Sequence, residues 1–197
     1  FKQADKFRIT DKKIADRKKV IKLHEGRIVV SMFYEPSTRT RFSFEIAAKK
    51  LGMQVVGTEN AAEFSSAAKG ETIEDTIRVI DEYGVDAVVL RTKEDGHATR
   101  AANASSKLAI LNGGDGKAEH PTQSVLDLYT IQNELGQLHN LNIVIGGDLA
   151  HGRTARSLAL LISKYQGNNI SFVSNPELRI GDDIKVKLQQ NGTSFEE

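Results

Sequence analysis

The chain has 197 residues, 39% hydrophobic and 27% charged, which suits a globular protein of one or two domains. Its formal net charge of +1 leaves no broad electrostatic footprint for nucleic acid or a membrane surface. There is no cysteine, which excludes disulfides, thiol nucleophiles and Cys-type zinc sites, and no apolar run approaches the ~20 residues that span a bilayer.

Residues 1–23 form a charged segment without a clear cap. The chain starts at Phe1 rather than Met and stops where a strand begins near Thr193, so a piece of a longer polypeptide is expected. From there apolar, β-rich runs alternate with helix-period segments. Strands are predicted at 28–34, 53–58, 85–90, 108–112, 142–147 and 170–174. Helices are predicted at 41–51, 71–83, 97–106, 121–135, 154–165 and 182–191. Ile73, Ile77 and Ile80 carry the i, i+4, i+7 spacing of a buried helix stripe. The alternation predicts an α/β fold: a parallel-sheet βα domain over residues 1–135, then the start of a second α/β domain over 136–197. The boundary is placed in the polar stretch 133–141, where Gly136 reads as a helix C-cap. Residues 59–70 form a long connection without periodicity, and loops of that length tend to be functional or mobile.

The densest chemistry lies at the first strand-to-helix handover, Phe33-Tyr-Glu-Pro-Ser-Thr-Arg-Thr-Arg-Phe42. The first N–H groups of a helix have no internal partner and carry the positive end of its dipole. Ser37, Thr38, Arg39 and Thr40, with Arg41, add hydroxyls and guanidiniums there, which makes a site for a phosphate or similar dianion. The plain alternative is an N-cap followed by surface arginines. In open α/β sheets ligands bind beyond the carboxyl ends of the strands. Arg91 after the third predicted strand, Asn112-Gly-Gly-Asp-Gly116 and His120-Pro-Thr-Gln123 after the fourth, and Asp148 and Arg153 after the fifth are expected at that edge. Taken alone, Arg91 reads as a strand-end surface charge, His120 as a cap before Pro121, and Gln123 as a solvated first-turn residue. His24, His97, His139 and His151 read as ordinary polar positions.

The string Ser-Thr-Arg-Thr-Arg-Phe-Ser-Phe-Glu, residues 37–45, resembles the carbamoyl-phosphate signature of the aspartate and ornithine carbamoyltransferases. His120-Pro-Thr-Gln123 is similar to that family's His-Pro-x-Gln element. Arg91 corresponds to its arginine that reaches phosphate and carbonyl oxygen. Ser65 and Lys69 look like the loop that a neighbouring subunit inserts into the site in the aspartate branch. Glu35 matches a residue that ties the two domains together. The resemblance runs from about residue 26 over nearly the whole remaining chain. It implies carbamoyl transfer from carbamoyl phosphate to L-aspartate in pyrimidine biosynthesis. Thr40, Arg91 and His120 would act on the carbonyl oxygen, Ser37 to Thr40 would hold phosphate, and Gln123 would orient the carbamoyl amide. It further implies no cofactor or metal, a homotrimer with shared active sites, room for regulatory chains, no nucleic-acid or membrane partner, and a cytoplasmic location. A degenerate homologue that binds carbamoyl phosphate without turnover, or an enzyme for another amino acid, is the alternative.

One competing motif needs weighing. Gly147-Asp-Leu-Ala-His-Gly-Arg-Thr154 has P-loop spacing, but a P-loop needs Lys before Ser or Thr, and Arg153 stands there instead. The same string resembles a segment of the aspartate branch whose arginine contacts aspartate. An arginine fork suits a dicarboxylate, because it can hold a carboxylate in two places.

Overall fold

A computed structural model describes residues 1–7, 22–58, 61, 69–116 and 120–197. They fall into two compact units, Phe1–Gly116 and Lys117–Glu197.

In the first unit a short helix α1 (Lys2–Phe7) and a 3₁₀ turn (Lys22–His24) precede β1 (Ile28–Phe33). Then come α2 (Thr38–Lys50), β2 (Gln54–Thr58), α3 (Ile73–Glu82), β3 (Ala87–Thr92), α4 (His97–Ala104) and β4 (Ala109–Asp115). The strands form a parallel sheet in the order β2-β1-β3-β4. Parallel strands need crossovers, and helices supply them on both faces. On one face Met32, Val88 and Leu90 pack against Ile73, Ile77 and Ile80 of α3 and Ala101 of α4. On the other Val29, Phe33, Ala87 and Val89 pack with Ala48 of α2. All six residues of β3 are buried, as a central parallel strand requires. The isoleucine stripe read from the sequence is the face α3 buries, and each such side chain contributes about 1.5–3 kcal/mol.

The second unit holds α5 (Pro121–Leu135), β5 (Asn142–Gly146), α6 (Arg153–Ile162), β6 (Asn169–Val173), a 3₁₀ turn (Pro176–Leu178), α7 (Asp182–Gln190) and β7 (Ser194–Glu196). Its sheet is parallel in the order β5-β6-β7. Ile145, Ile170 and Phe172 form the core with Ala159 and Ile162 of α6, Ile184 and Leu188 of α7, and Leu128 of α5. Buried Asn168 ties the unit together: its Oδ1 accepts from Leu141 N–H at 2.9 Å and its Nδ2 donates to the Leu138, Ile162 and Tyr165 carbonyls.

The helix 121–135, expected at the end of the first domain, groups by its packing with the second unit, because Leu128 joins that unit's core. Two expectations are adjusted. Helix α2 starts at Thr38 rather than 41, so the Ser-Thr-Arg-Thr string is its first turn. Strand β3 runs on to Thr92 and β4 to Asp115, so Arg91 and Asn112-Gly-Gly lie inside the sheet, not beyond it. Gly136 closes α5 in the left-handed conformation, φ 74°, as read from the sequence.

Candidate functional site

Ser37 sits at the N-cap of α2, but its side chain makes no capping hydrogen bond. No acidic residue lies in the first turn, and Arg39 is exposed there. This inverts the ordinary preference, since cations at a helix N-terminus oppose its dipole. Arg41 is partly neutralised by Glu45 one turn on, with Nε donating to Oε1 at 2.7 Å. Thr38 is exposed and Thr40 is half-buried. Among the described residues, N–H groups that Ser37 leaves uncapped, hydroxyls and a guanidinium in a turn without an acid fit an incoming anion better than a self-satisfied helix end.

Arg91 is not a surface charge: it is only 5% exposed. In β3 it alternates with Ala87 and Val89, which places it toward the α2 face, and it lies opposite Phe33 in the ladder. Its Nη2 is 3.0 Å from Glu35 Oε2, and its Nη1 donates to the Gly113 carbonyl at 3.1 Å. A buried guanidinium without such partners would cost several kcal/mol. Glu35, expected from the resemblance to tie domains together, holds Arg91 within the first unit. Just beyond, buried Asp115 accepts from Thr92 Oγ1 at 3.2 Å, Gly96 N–H at 3.0 Å and Ala98 N–H at 3.4 Å. It therefore caps α4 from a neighbouring strand, since Gly96 at the N-cap has no side chain to do so. Lys69 is exposed, beside Gly70; Ser65 and most of 59–70 lie outside the described residues.

In the second unit His120 is the N-cap of α5 and Pro121 follows at its first position. The imidazole makes no capping bond, so the cap reading does not explain it. His120 is 9% exposed; its backbone N–H donates to buried Ser157 Oγ at 3.1 Å. Thr122 Oγ1 lies 3.4 Å from Nδ1. Gln123 is half-buried, with Nε2 donating to Asp127 Oδ1 at 2.9 Å. Arg153 opens α6 directly after Gly152, whose N–H donates to the Asp148 carbonyl at 3.1 Å. A β-carbon on Gly152 would collide with that carbonyl, so the turn requires glycine. Asp148 is exposed; the His151 backbone N–H, ahead of its ring, holds the carboxyl below its ordinary range. Of the remaining histidines, His97 pairs with Glu94 at 3.1 Å and His139 meets Tyr165 edge-on at 5.4 Å.

The first unit thus brings the helix start and Arg91 to one face of one sheet, while His120, Gln123 and Arg153 belong to the second unit. Sequence reading missed three supports: Asp115, Ser157 and the bed under Arg91. Only Asp115 carried a sequence hint, as an acid in a glycine-rich stretch.

The family model described as aspartate/ornithine carbamoyltransferase, carbamoyl-P binding domain, matches residues 1–133. The chloroplastic aspartate carbamoyltransferase of Oryza sativa is 53% identical over 173 residues, 88% of this chain and 47% of that protein. The catalytic subunit from Methanocaldococcus jannaschii is 46% identical over 184 residues, 93% of this chain and 59% of that protein. Among solved structures, the M. jannaschii catalytic subunit in an orthorhombic form superposes with TM-score 0.83 at 43% identity, over 97% of this chain and 61% of that one. The Trypanosoma cruzi enzyme in complex with aspartate and phosphate gives TM-score 0.81 at 35% identity, over 92% and 61%. The chain therefore spans about half to three-fifths of the length of these relatives. The chain belongs to the aspartate/ornithine carbamoyltransferase family.

Proposed function

We propose that the protein carrying this chain transfers the carbamoyl group of carbamoyl phosphate to the amine of L-aspartate, an early step of pyrimidine biosynthesis. The observation that carries the proposal is the first turn of α2, uncapped by Ser37 and basic where helices are ordinarily acidic. The relatives support the choice of substrates: T. cruzi structures are described as complexes with carbamoyl phosphate, with aspartate and with carbamoyl aspartate.

Ser37, Thr38, Arg39 and Thr40 hold the phosphate through side chains and first-turn N–H groups. The aspartate nitrogen attacks the carbamoyl carbon, a C–N bond forms, and the carbonyl π pair moves onto oxygen. Arg91, Thr40 and His120 are the donors to that oxyanion, and loss of one such donor costs about 10²–10³ in rate. The intermediate collapses as the oxyanion pair re-forms the C=O bond and the C–O bond to phosphate breaks; phosphate takes that electron pair and the proton given up by the nitrogen. Gln123 orients the carbamoyl NH₂, and Arg153 takes an aspartate carboxylate with its fork. Glu35 occupies one edge of Arg91, so an anion competes with that carboxylate for the guanidinium. The proposed assembly is a cytoplasmic homotrimer in which exposed Lys69, with Ser65, serves a neighbour's site. Hybrid trimers of Lys69→Ala and Arg39→Ala chains should then recover activity; hybrids as dead as their parents would remove the sharing.

The test of the reaction is full-length protein incubated with carbamoyl phosphate and either L-aspartate or L-ornithine. Carbamoyl-aspartate is the expected product. Carbamoyl-ornithine, or no product, overturns the proposal.

A further inference from the structure

Strands β3 and β4 do not keep register. Leu90 faces Asn112, but the next residue, Arg91, faces Gly114, so Gly113 is an extra residue in β4. Bulges are rare between parallel strands, and where they occur they re-aim side chains. The cause is local. Asn112 Oδ1 accepts from the Gly114 N–H at 2.8 Å, which gathers three residues of β4 into one ladder step. Two results follow at Arg91. The Gly113 carbonyl accepts from Nη1 at 3.1 Å. The guanidinium also lies along the bare α-carbon of Gly114, where a β-carbon would stand 2.6 Å from Nη1 and 3.2 Å from Cζ. Gly114 has φ +136°, a conformation side-chain-bearing residues rarely adopt, and the Asn112 clasp holds it there.

We infer that Asn112 is a positioning residue: its carboxamide maintains the bulge that aims Arg91. Residues on the opposite face, Val88 and Leu90, hold β3 itself, so the aim of Arg91 is set by Glu35 at Nη2 and by what β4 presents at Nη1. The inference rests on the proposed role of Arg91 in carbonyl activation. Asn112 acts only through Arg91 and touches no substrate.

The experiment is a double-mutant cycle in the full-length protein. Asn112→Leu keeps the size and removes the acceptor; kcat is expected to fall about 10²-fold, the effect of misplacing a reacting-centre group by ~1 Å. In the Arg91→Ala background the same substitution should lower kcat no further. Asn112→Asp keeps an oxygen acceptor at the same reach and should retain both the bulge and most of the activity. A crystal structure of Asn112→Leu should show the guanidinium moved off the Gly113 carbonyl. Equal losses in both backgrounds, or Arg91 unmoved in the crystal, overturn the inference. Should Asn112→Leu fail to fold, Asn112→Ala carries the same cycle. A parent protein without transferase activity would remove the functional proposal alone; the crystal structure would then decide the aim of Arg91 by itself.

Discussion

Arg39→Ala is expected to move stability and ligand affinity in opposite directions. Arg39 is exposed in the first turn of α2, which contains no acidic residue and which Ser37 does not cap. A cation there opposes the helix dipole, so its removal should stabilise the unliganded protein by about 0.3–1 kcal/mol. Propensity adds little, because Ala and Arg are both good helix formers. For a chain of this size or larger that is about 1–4 °C in melting temperature. The same change removes a charge-assisted hydrogen bond to the anion, worth about 1.5–3 kcal/mol, so Kd should rise roughly ten- to hundredfold. At a phosphate concentration about 100 times the wild-type Kd, ligand stabilises the wild type by about 2.7 kcal/mol and the variant by about 0.4–1.4. The two melting curves therefore cross. The variant melts higher in a non-anionic buffer of low ionic strength and lower in phosphate. Scanning calorimetry supplies the melting temperatures and titration calorimetry the affinities. A variant that melts lower without ligand, or binds phosphate as tightly as the wild type, would refute the reading of the α2 N-terminus as an anion site.

Asp115→Ala strips an acceptor from Thr92, Gly96 and Ala98 together, all in or beside the buried end of β3. Urea denaturation should show about 3–5 kcal/mol of destabilisation, since each buried donor left unpaired costs about 1–3 kcal/mol; a loss under 1 kcal/mol would deny Asp115 its capping role. Ser157→Ala leaves the buried His120 N–H without its acceptor and should cost about 1–3 kcal/mol in the same assay. If His120 acts on the carbonyl oxygen, kcat should drop in this variant while phosphate affinity holds. Arg100 donates to both oxygens of Glu74, at 2.5 and 2.8 Å, and this pairing holds the Glu74 carboxyl below its ordinary range. A depressed folded-state value means stabilisation that is present above the unfolded pKa and lost as pH falls through the folded one. Glu74→Gln should flatten the acid side of the melting-temperature profile and change little in its shape at neutral pH, a small effect because the pair is solvent-screened.

What the sequence disclosed and what it hid divide along a physical line. The isoleucines of α3, the apolar runs of the strands and the Gly136 stop are local or periodic signals, and each appears where expected. The start of α2 was displaced by three residues because Ser37 and Thr38 suit a cap or a loop as well as a helix; what fixes the boundary is Ser37, whose φ of -159° and ψ of 89° are not helical. Arg91 looked like a strand-end charge because a lone arginine after an apolar run cannot advertise Glu35 and Gly113, one 56 residues before it and one 22 after. The bulge at Gly113 is a relation between two strands, and neither strand's pattern contains it. Ser157 serves His120 from 37 residues away, in a helix whose periodicity marks it only as a small buried position.

The strand order β2-β1-β3-β4 also imposes a timetable. As the chain leaves the ribosome, β1 can pair with β2 early, since only α2 separates them. Its other edge waits until β3 has been synthesised, and β3 is the segment with every residue destined for burial. Until it inserts, an open apolar edge of β1 and an undocked run Ala87–Leu90 coexist in the nascent chain, and unpaired edges of that kind recruit other chains. β4 then adds on the far side and completes the sheet. The most hazardous interval in making this protein is therefore the one before residue 92 is available, and substitutions that slow the docking of β3 should show up first as poor soluble yield, before any change in the equilibrium stability of the finished fold.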